Sequence, residues 1–287
     1  MPLMSRLLAT VLATALPLSA AAQETLYFSA IPDEDETRLV ERFTAVADYL
    51  SEELGVPVAF VPVKSYPAAV TAFRNDQVQL AWFGGLSGVQ ARLLVDGARA
   101  IAQGDEDTSF VSYFIAHTDT GLTESEDFPE AARGMSFTFG AKTSTSGRLM
   151  PEYAIRENTG EAPEEFFDRV GFSGDHSQTL RLVASGAWQV GALNYTVYDQ
   201  AVADNAPEVE TAKVIWKTPP YPDYNWTIRG DVDARWGEGF ADKVQAALVG
   251  MDDPDLLAAF PRNAFIPAAN EDYAPIEQVA RDLDLLE

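Results

Sequence analysis

A run of hydroxyl side chains, Thr143-Ser144-Thr145-Ser146, precedes Gly147 and lies between an apolar segment and a helix-forming segment. At a helix start such hydroxyls lie beside backbone N–H groups that lack intrahelical partners and beside the positive end of the helix dipole. This arrangement binds small oxyanions. The same residue types also cap helices without any ligand. Ser144, Thr145, Ser146 and Gly147 are therefore predicted to form an oxyanion cradle, with a plain helix cap as the alternative.

Other polar and aromatic side chains lie at predicted strand ends or helix starts. His176 begins a helix, where an imidazole either reaches an oxyanion or bonds to local backbone. Trp82-Phe83-Gly84-Gly85 ends a strand, so its aromatics serve either a hydrophobic core or a ligand, and Gly84 lets backbone N–H groups approach closely. Tyr66 precedes a helix, and Asn194 follows a strand at the end where open α/β sheets place ligand contacts. The predicted additions to the ligand site are Tyr66, Trp82, Phe83, Gly84, His176 and Asn194.

Catalytic and metal-dependent chemistry finds little support. The segment Ser144–Gly147 lacks the leading glycine of a Gly-x-Ser-x-Gly nucleophile elbow. The chain has no cysteine and two histidines, which excludes thiolate sites and nearly excludes a zinc centre with several histidine ligands. The acidic run Asp33–Glu36 lacks the glycine and the final glutamate of a calcium loop, and we expect it to be a solvated helix start. No catalytic residue, metal or cofactor is predicted.

The charge balance restricts the partners. The chain holds 20 Lys and Arg against 44 Asp and Glu, a net charge of −24. Phosphate backbones and anionic lipids are bound by clustered cations, so we expect no nucleic acid partner and no stable membrane insertion. Such acidity opposes an anionic ligand only at long range, because salt screens it within about 8–10 Å. A monomer with an oxyanion site built from dipoles is therefore expected.

The first 22 residues predict a cleavable signal peptide. Arg6 supplies the positive charge, Leu7–Leu18 is apolar, and Ala20-Ala21-Ala22 offers small residues for cleavage near Ala22. The apolar run is shorter than the roughly 20 residues that a membrane-spanning helix needs. We therefore expect export to the bacterial periplasm.

The remaining chain alternates apolar strand patterns with helical ones, which predicts an α/β fold. One helix is indicated by Leu39, Phe43, Val46, Leu50 and Leu54, at three- and four-residue spacing before Gly55. Two α/β sets and a closing segment imply two lobes, with chain crossings near 115–120 and near 217–224 and the ligand in the cleft. The predicted division assigns residues 23–116 and 225–287 to the first lobe and residues 117–224 to the second. Two lobes on two crossovers suggest a hinged ligand clamp.

Several segments together resemble one family, the phosphate/phosphite/phosphonate substrate-binding proteins of ABC importers. They are Ser29–Glu34, Ser65-Tyr66-Pro67, Ala81–Gly85, Ser144–Pro151 and Gly174-Asp175-His176. Ala-Ile-Pro-Asp-Glu, Trp-Phe-Gly-Gly and Gly191-Ala192-Leu193-Asn194 are most similar to a branch described as selenate-binding. The resemblance implies the type II periplasmic binding protein fold.

The resemblance also implies roles for individual positions. Tyr66, Trp82 or Phe83, the hydroxyl run and His176 match ligand-contacting positions, and Asn194 falls near carboxylates that aminophosphonate-binding members use for the ligand's amine. An amide there favours a compact oxyanion of the selenate, phosphite, phosphate or phosphonate type. The implied function is capture of that anion for an inner-membrane ABC permease. A membrane sensor kinase as the receiving partner is the alternative, and an exported hydrolase is a weaker third.

Overall fold

The computed structural model describes residues 23–286, so the predicted signal peptide lies outside the described residues. The strands are β1 Leu26–Ala30, β2 Val58–Phe60, β3 Leu80–Phe83, β4 Arg99–Gly104, β5 Ser112–His117, β6 Ser136–Phe139, β7 Arg169–Phe172, β8 Val190–Asn194, β9 Ala212–Lys217, β10 Asn225–Ile228 and β11 Phe265–Pro267. The helices are α1 Glu36–Leu54, α2 Tyr66–Arg74, α3 Gly85–Leu94, α4 Met150–Thr159, α5 Pro163–Phe166, α6 His176–Ala184, α7 Tyr195–Ala203, α8 Glu208–Thr211, α9 Val232–Trp236, α10 Phe240–Val249, α11 Pro254–Ala259 and α12 Ala274–Asp282. None of the helices within this range is long and apolar enough to cross a membrane.

The strands form two sheets, each the centre of an α/β lobe. The first sheet has the order β11-β4-β10-β3-β1-β2 and the second has the order β7-β6-β8-β5-β9. Within the first, β1 lies parallel to β2 and β3, whereas β10 runs antiparallel between β3 and β4. Strand β10 comes after the strands of the second sheet in the chain but pairs within the first sheet, so the closing segment returns to the first lobe. The mixed α/β fold with two lobes is therefore as predicted.

The chain passes between the sheets twice, through residues 105–111 (the first crossover) and residues 218–224 (the second crossover). The prediction that residues 112–116 belong to the first lobe is wrong. Strand β5 pairs antiparallel with β8 and β9 and is thus part of the second sheet. A short buried strand has the same apolar pattern in either sheet, and its partners lie about 80 to 100 residues away along the chain.

Local sequence explains the first helix. The Asp35 side chain accepts the Thr37 N–H at the start of α1, and Gly55 ends it in the left-handed conformation with φ of 67°. The predicted apolar stripe is buried in the core of the first lobe. Residues of α10 and α12 such as Val244 and Ile276 belong to the same core.

The predicted helix from Gly147 has a wider first turn than expected. The regular helix α4 begins at Met150, and the preceding turn carries i→i−5 hydrogen bonds, from Leu149 N to the Ser144 carbonyl and from Met150 N to the Thr145 carbonyl. Pro151 has no N–H to donate to the Gly147 carbonyl, which accepts the Gly140 N–H instead at 2.8 Å. Proline therefore helps to open the turn that presents the hydroxyl run.

Candidate functional site

The hydroxyl run lies buried where the two lobes meet. Ser144, Thr145 and Ser146 are each at most 2% exposed. The Ser144 hydroxyl accepts the Gly147 N–H at 2.9 Å, which is the cap of the alternative interpretation. Thr145 instead bonds across the cleft, because its hydroxyl accepts the Leu86 N–H of α3 at 3.0 Å. Helix capping explains the burial of Ser144 only. The burial of Thr145 and Ser146 needs another explanation.

The N-terminus of α3 contributes from the first lobe. The Gly85 N–H donates to the Asp223 carboxyl at 2.9 Å. A Cβ atom at Gly84 would lie 3.1 Å from the Thr145 hydroxyl and 3.2 Å from the same carboxyl. Gly84 thus permits a close approach by side chains of the second lobe and the second crossover, whereas its role at a ligand stays a prediction.

Four buried polar atoms around this point have no hydrogen-bond partner within the described residues. They are the Tyr66 hydroxyl, His176 Nε2, Asp33 Oδ1 and Asp223 Oδ2. Burial raises the pKa of Tyr66 well above its usual value, the Asp33 carboxyl raises it further, and the Ser144 hydroxyl lowers it. These effects, and the hydrogen bond of 2.9 Å from the His176 N–H to the Asp33 carbonyl, bring groups from both lobes close together. Buried polar atoms without partners indicate a missing ligand or water.

His176 is a neutral hydrogen-bond donor. It is fully buried at the start of α6, and its Nδ1 accepts the Asn194 N–H at 3.2 Å. The ring proton therefore lies on Nε2, the atom without a partner. Burial lowers the pKa of His176 to about 3, so the imidazolium form is not available at neutral pH.

Asn194 orients its neighbours. Its side-chain oxygen caps α7 through the Val197 N–H at 2.9 Å, and its amide donates to the Tyr224 hydroxyl at 2.9 Å. That hydroxyl in turn donates to Asp33 at 2.7 Å. Both ends of the Asn194 amide are thus satisfied by protein, and the residue holds Tyr224 and Asp33 in place.

Two carboxyl groups at the site were missed by sequence reasoning. Asp33 is 5% exposed, which makes the expectation of a solvated helix start wrong for this residue, and Asp223 is 1% exposed. Burial raises the pKa of Asp33 to about 6 and the pKa of Asp223 to about 7. The available signal was position: Asp33 follows Pro32 at the end of β1, and Asp223 follows a proline- and tyrosine-rich segment immediately before β10.

The two aromatic candidates lie in the core of the first lobe. Phe83 is fully buried and packs edge-on against Phe73. Trp82 stacks on the Tyr224 ring with centroids 5.4 Å apart and contributes to the wall of a cavity of about 390 Å³ at the cleft mouth. A second mouth cavity of about 550 Å³ reaches Tyr66. Trp82 therefore supports the site through Tyr224.

Comparison with known proteins agrees with this architecture. The family model described as "ABC transporter, phosphonate, periplasmic substrate-binding protein" matches residues 28–273. The probable ABC transporter phosphite binding protein PhnD1 of Prochlorococcus marinus is 38% identical over 266 residues, which are 90% of each chain.

Solved structures give the same result. PhnD1 from Prochlorococcus marinus in complex with methylphosphonate superposes with a TM-score of 0.87 at 38% identity and covers 91% of this chain and 98% of that one. The binding protein component of an ABC phosphonate transporter from Pseudomonas aeruginosa has a TM-score of 0.79 at 22% identity, with 90% and 85% covered, and so shares the fold. The chain therefore belongs to the family of periplasmic substrate-binding proteins of phosphonate ABC transporters, which carry a solute and are not enzymes.

Proposed function

We propose that this protein binds phosphite or a small alkylphosphonate in the closed cleft and delivers it to an inner-membrane permease. The observation that carries the proposal is the meeting of two unpartnered donors, the Tyr66 hydroxyl and His176 Nε2, with two unpartnered acceptors, Asp33 Oδ1 and Asp223 Oδ2. PhnD1 of Prochlorococcus marinus, described as a probable phosphite binding protein and solved in complex with methylphosphonate, supports the same class of anion.

The mixture of donors and acceptors fits a partly protonated anion. Ionised oxygens of the ligand would accept from Tyr66, His176 and the hydroxyls of the cradle. A P–OH group would donate to the Asp223 carboxylate, which otherwise lies beside the ligand's own negative charge. Phosphite, phosphate and alkylphosphonates carry such a proton on many molecules near neutral pH, whereas selenate carries none. The carboxyls therefore favour phosphorus oxyanions over the selenate of the sequence-based expectation.

Charge neutralisation comes from dipoles and protons. Arg42, whose charge lowers the pKa of Asp33, pairs with Glu34 and is not among the donors that we place at the ligand. The donors are hydroxyls, a neutral imidazole and backbone N–H groups, which stabilise an anion in a water-excluded site. The protein's overall acidity is thus compatible with its ligand.

Titration calorimetry with phosphite, methylphosphonate, phosphate and selenate tests the proposal. We expect binding of at least one phosphorus oxyanion, with selenate weaker by tenfold or more. Tyr66→Phe should lower affinity by about 5–100-fold, the effect of losing one hydrogen bond to a charged group. Tyr198→Phe is the matched control, because that buried hydroxyl donates to the Ala212 carbonyl at 3.0 Å, away from the site.

Two results would contradict the proposal. One is the absence of any heat signal and of any melting-temperature shift with all four anions. The other is selenate binding at least as tight as that of the phosphorus anions, because the two carboxyls would then not face the ligand. Delivery to a permease would be tested by ligand-dependent stimulation of the partner transporter's ATPase, and stimulation of a sensor kinase instead would favour the alternative partner.

A further inference from the structure

The two crossovers lie side by side and are bonded to each other. Phe110 and Tyr221 exchange backbone hydrogen bonds of 2.8 and 2.9 Å. The Asp223 N–H donates to the Asp107 carbonyl at 3.0 Å. The position of Asp223 therefore depends directly on the first crossover, and on the short turn Asp105–Ser109 within it.

A buried ion pair fastens that turn to the closing segment of the chain. Asp107 is fully buried and the Arg262 side chain is 3% exposed. Arg262 Nε donates to Asp107 Oδ2 at 2.9 Å and Nη2 donates to Oδ1 at 2.6 Å, a bidentate arrangement. The pair packs directly on Gly104, where a Cβ atom would lie 2.5 Å from the carboxyl and 2.6 Å from Arg262 Cδ. Glycine is thus the residue that fits at this point.

The guanidinium also contacts both crossovers through aromatic rings. It lies 5.5 Å from the ring centres of Phe110 and Tyr224, one ring from each crossover. Its remaining nitrogen, Nη1, donates to the Phe260 carbonyl at 2.7 Å. Tyr224 directly follows Asp223 and donates to Asp33. Arg262 therefore reaches the neighbours of both site carboxyls, and none of its hydrogen bonds goes to an unpartnered site atom.

We propose that Arg262 and Asp107 are positioning residues that hold the two crossovers in the arrangement placing Asp223 and Tyr224 at the ligand. The proposal rests on the proposed function, because it concerns the same site. A bidentate pair has one favoured geometry, and it adds a side-chain restraint to the three backbone hydrogen bonds between the crossovers. If the binding-competent arrangement becomes a minor population, the apparent dissociation constant rises by the inverse of its fraction.

The test compares Arg262→Met with a matched loss of a paired arginine elsewhere. Arg229 follows β10, its side chain is 12% exposed, and it pairs with Asp76 and Asp231 within the first lobe. We expect R262M to raise the Kd for methylphosphonate by about tenfold or more. R229M should leave that Kd within about twofold while lowering the melting temperature. Arg262→Lys keeps the charge without the fork and should recover part of the affinity.

A second variant covers the case in which R262M leaves Asp107 buried without a partner and does not fold. The double variant Asp107→Leu with Arg262→Met removes both charges, and such replacements are often tolerated. We expect it to fold and to bind methylphosphonate as weakly as the single variant. Wild-type affinity in either variant, or an equal loss of affinity in R229M, would overturn this proposal alone. A wild-type protein that binds none of the phosphorus oxyanions would overturn the proposed function as well.

Discussion

Raising the pH above 7 is expected to weaken phosphite binding, because Asp223 then ionises beside the ligand's own charge. Burial raises the pKa of Asp223 to about 7 and that of Asp33 to about 6. A carboxylate and a phosphite dianion are compatible in one dry site only if a proton lies between them. At a pH above the pKa of both partners, that proton must be taken up from solution when the complex forms.

The magnitude follows from the number of protons. Uptake of one proton makes the Kd rise tenfold for each pH unit above those pKa values. Between pH 7.5 and pH 9.0 the Kd of phosphite should therefore increase about thirtyfold, which corresponds to about 2 kcal/mol. Selenate brings no proton of its own, so its binding depends on protonation of the protein alone and should be weak throughout this range.

Calorimetry at both pH values, in two buffers with different ionisation enthalpies, measures both the Kd and the number of protons taken up. Asp223→Asn removes the titrating group and should flatten the pH dependence while improving selenate binding relative to phosphite. Asp242→Asn is the control, because that side chain is 79% exposed and pairs with Arg99 on the surface. A Kd for phosphite that changes less than twofold, or an unchanged slope in D223N, would refute the reasoning.

Three further predictions concern the same residues. The folded-state pKa of Asp223 lies above its unfolded value near 3.9. The ligand-free protein therefore loses the stability that comes from protonated Asp223 as the pH rises from about 4 to 7. Thermal melts of D223N should show a weaker fall in Tm across this range. Ser144→Ala should weaken phosphite binding, measured by calorimetry, by about 1–3 kcal/mol. The control Ser29→Ala removes a buried hydroxyl bonded to the Val61 carbonyl and should leave the affinity unchanged. Equal losses of affinity in the two variants would mean general destabilisation. His176→Ala should weaken binding by the same factor at pH 5.5 and pH 8, because a neutral imidazole is the donor, and a loss confined to low pH would point to imidazolium.

Elements with a strong local pattern were predicted closely. The helix predicted from the apolar stripe that ends before Gly55 is α1, since its signal lies within a few neighbouring residues. Strand β11 was missed because Phe265–Pro267 has three residues and is a strand through its pairing with the edge of β4. The assignment of β5 to a sheet likewise depends on partners distant in sequence.

For the candidate site, the hydroxyl run and His176 were predicted from their positions at strand-to-helix junctions, and the structure buries Ser144, Thr145, Ser146 and His176. Asp33 and Asp223 were missed. An acidic residue beside a helix start is usually solvated, and the burial of Asp33 comes in part from Tyr224, which lies 191 residues away. Asn194 was expected at the ligand, and the structure uses both ends of its amide to cap α7 and to hold Tyr224.

The sequence by itself determined the alternation of strands and helices, the chemistry of the hydroxyl run, and the likeness to oxyanion-binding proteins. These features rest on residue types and on spacings of a few residues, which local geometry converts directly into structure. The tertiary structure alone decided that Asp33 and Asp223 are buried acids and that His176 is neutral. Burial and pKa are set by desolvation and by neighbours from both lobes, and those neighbours come together only when the chain has folded and the cleft has closed.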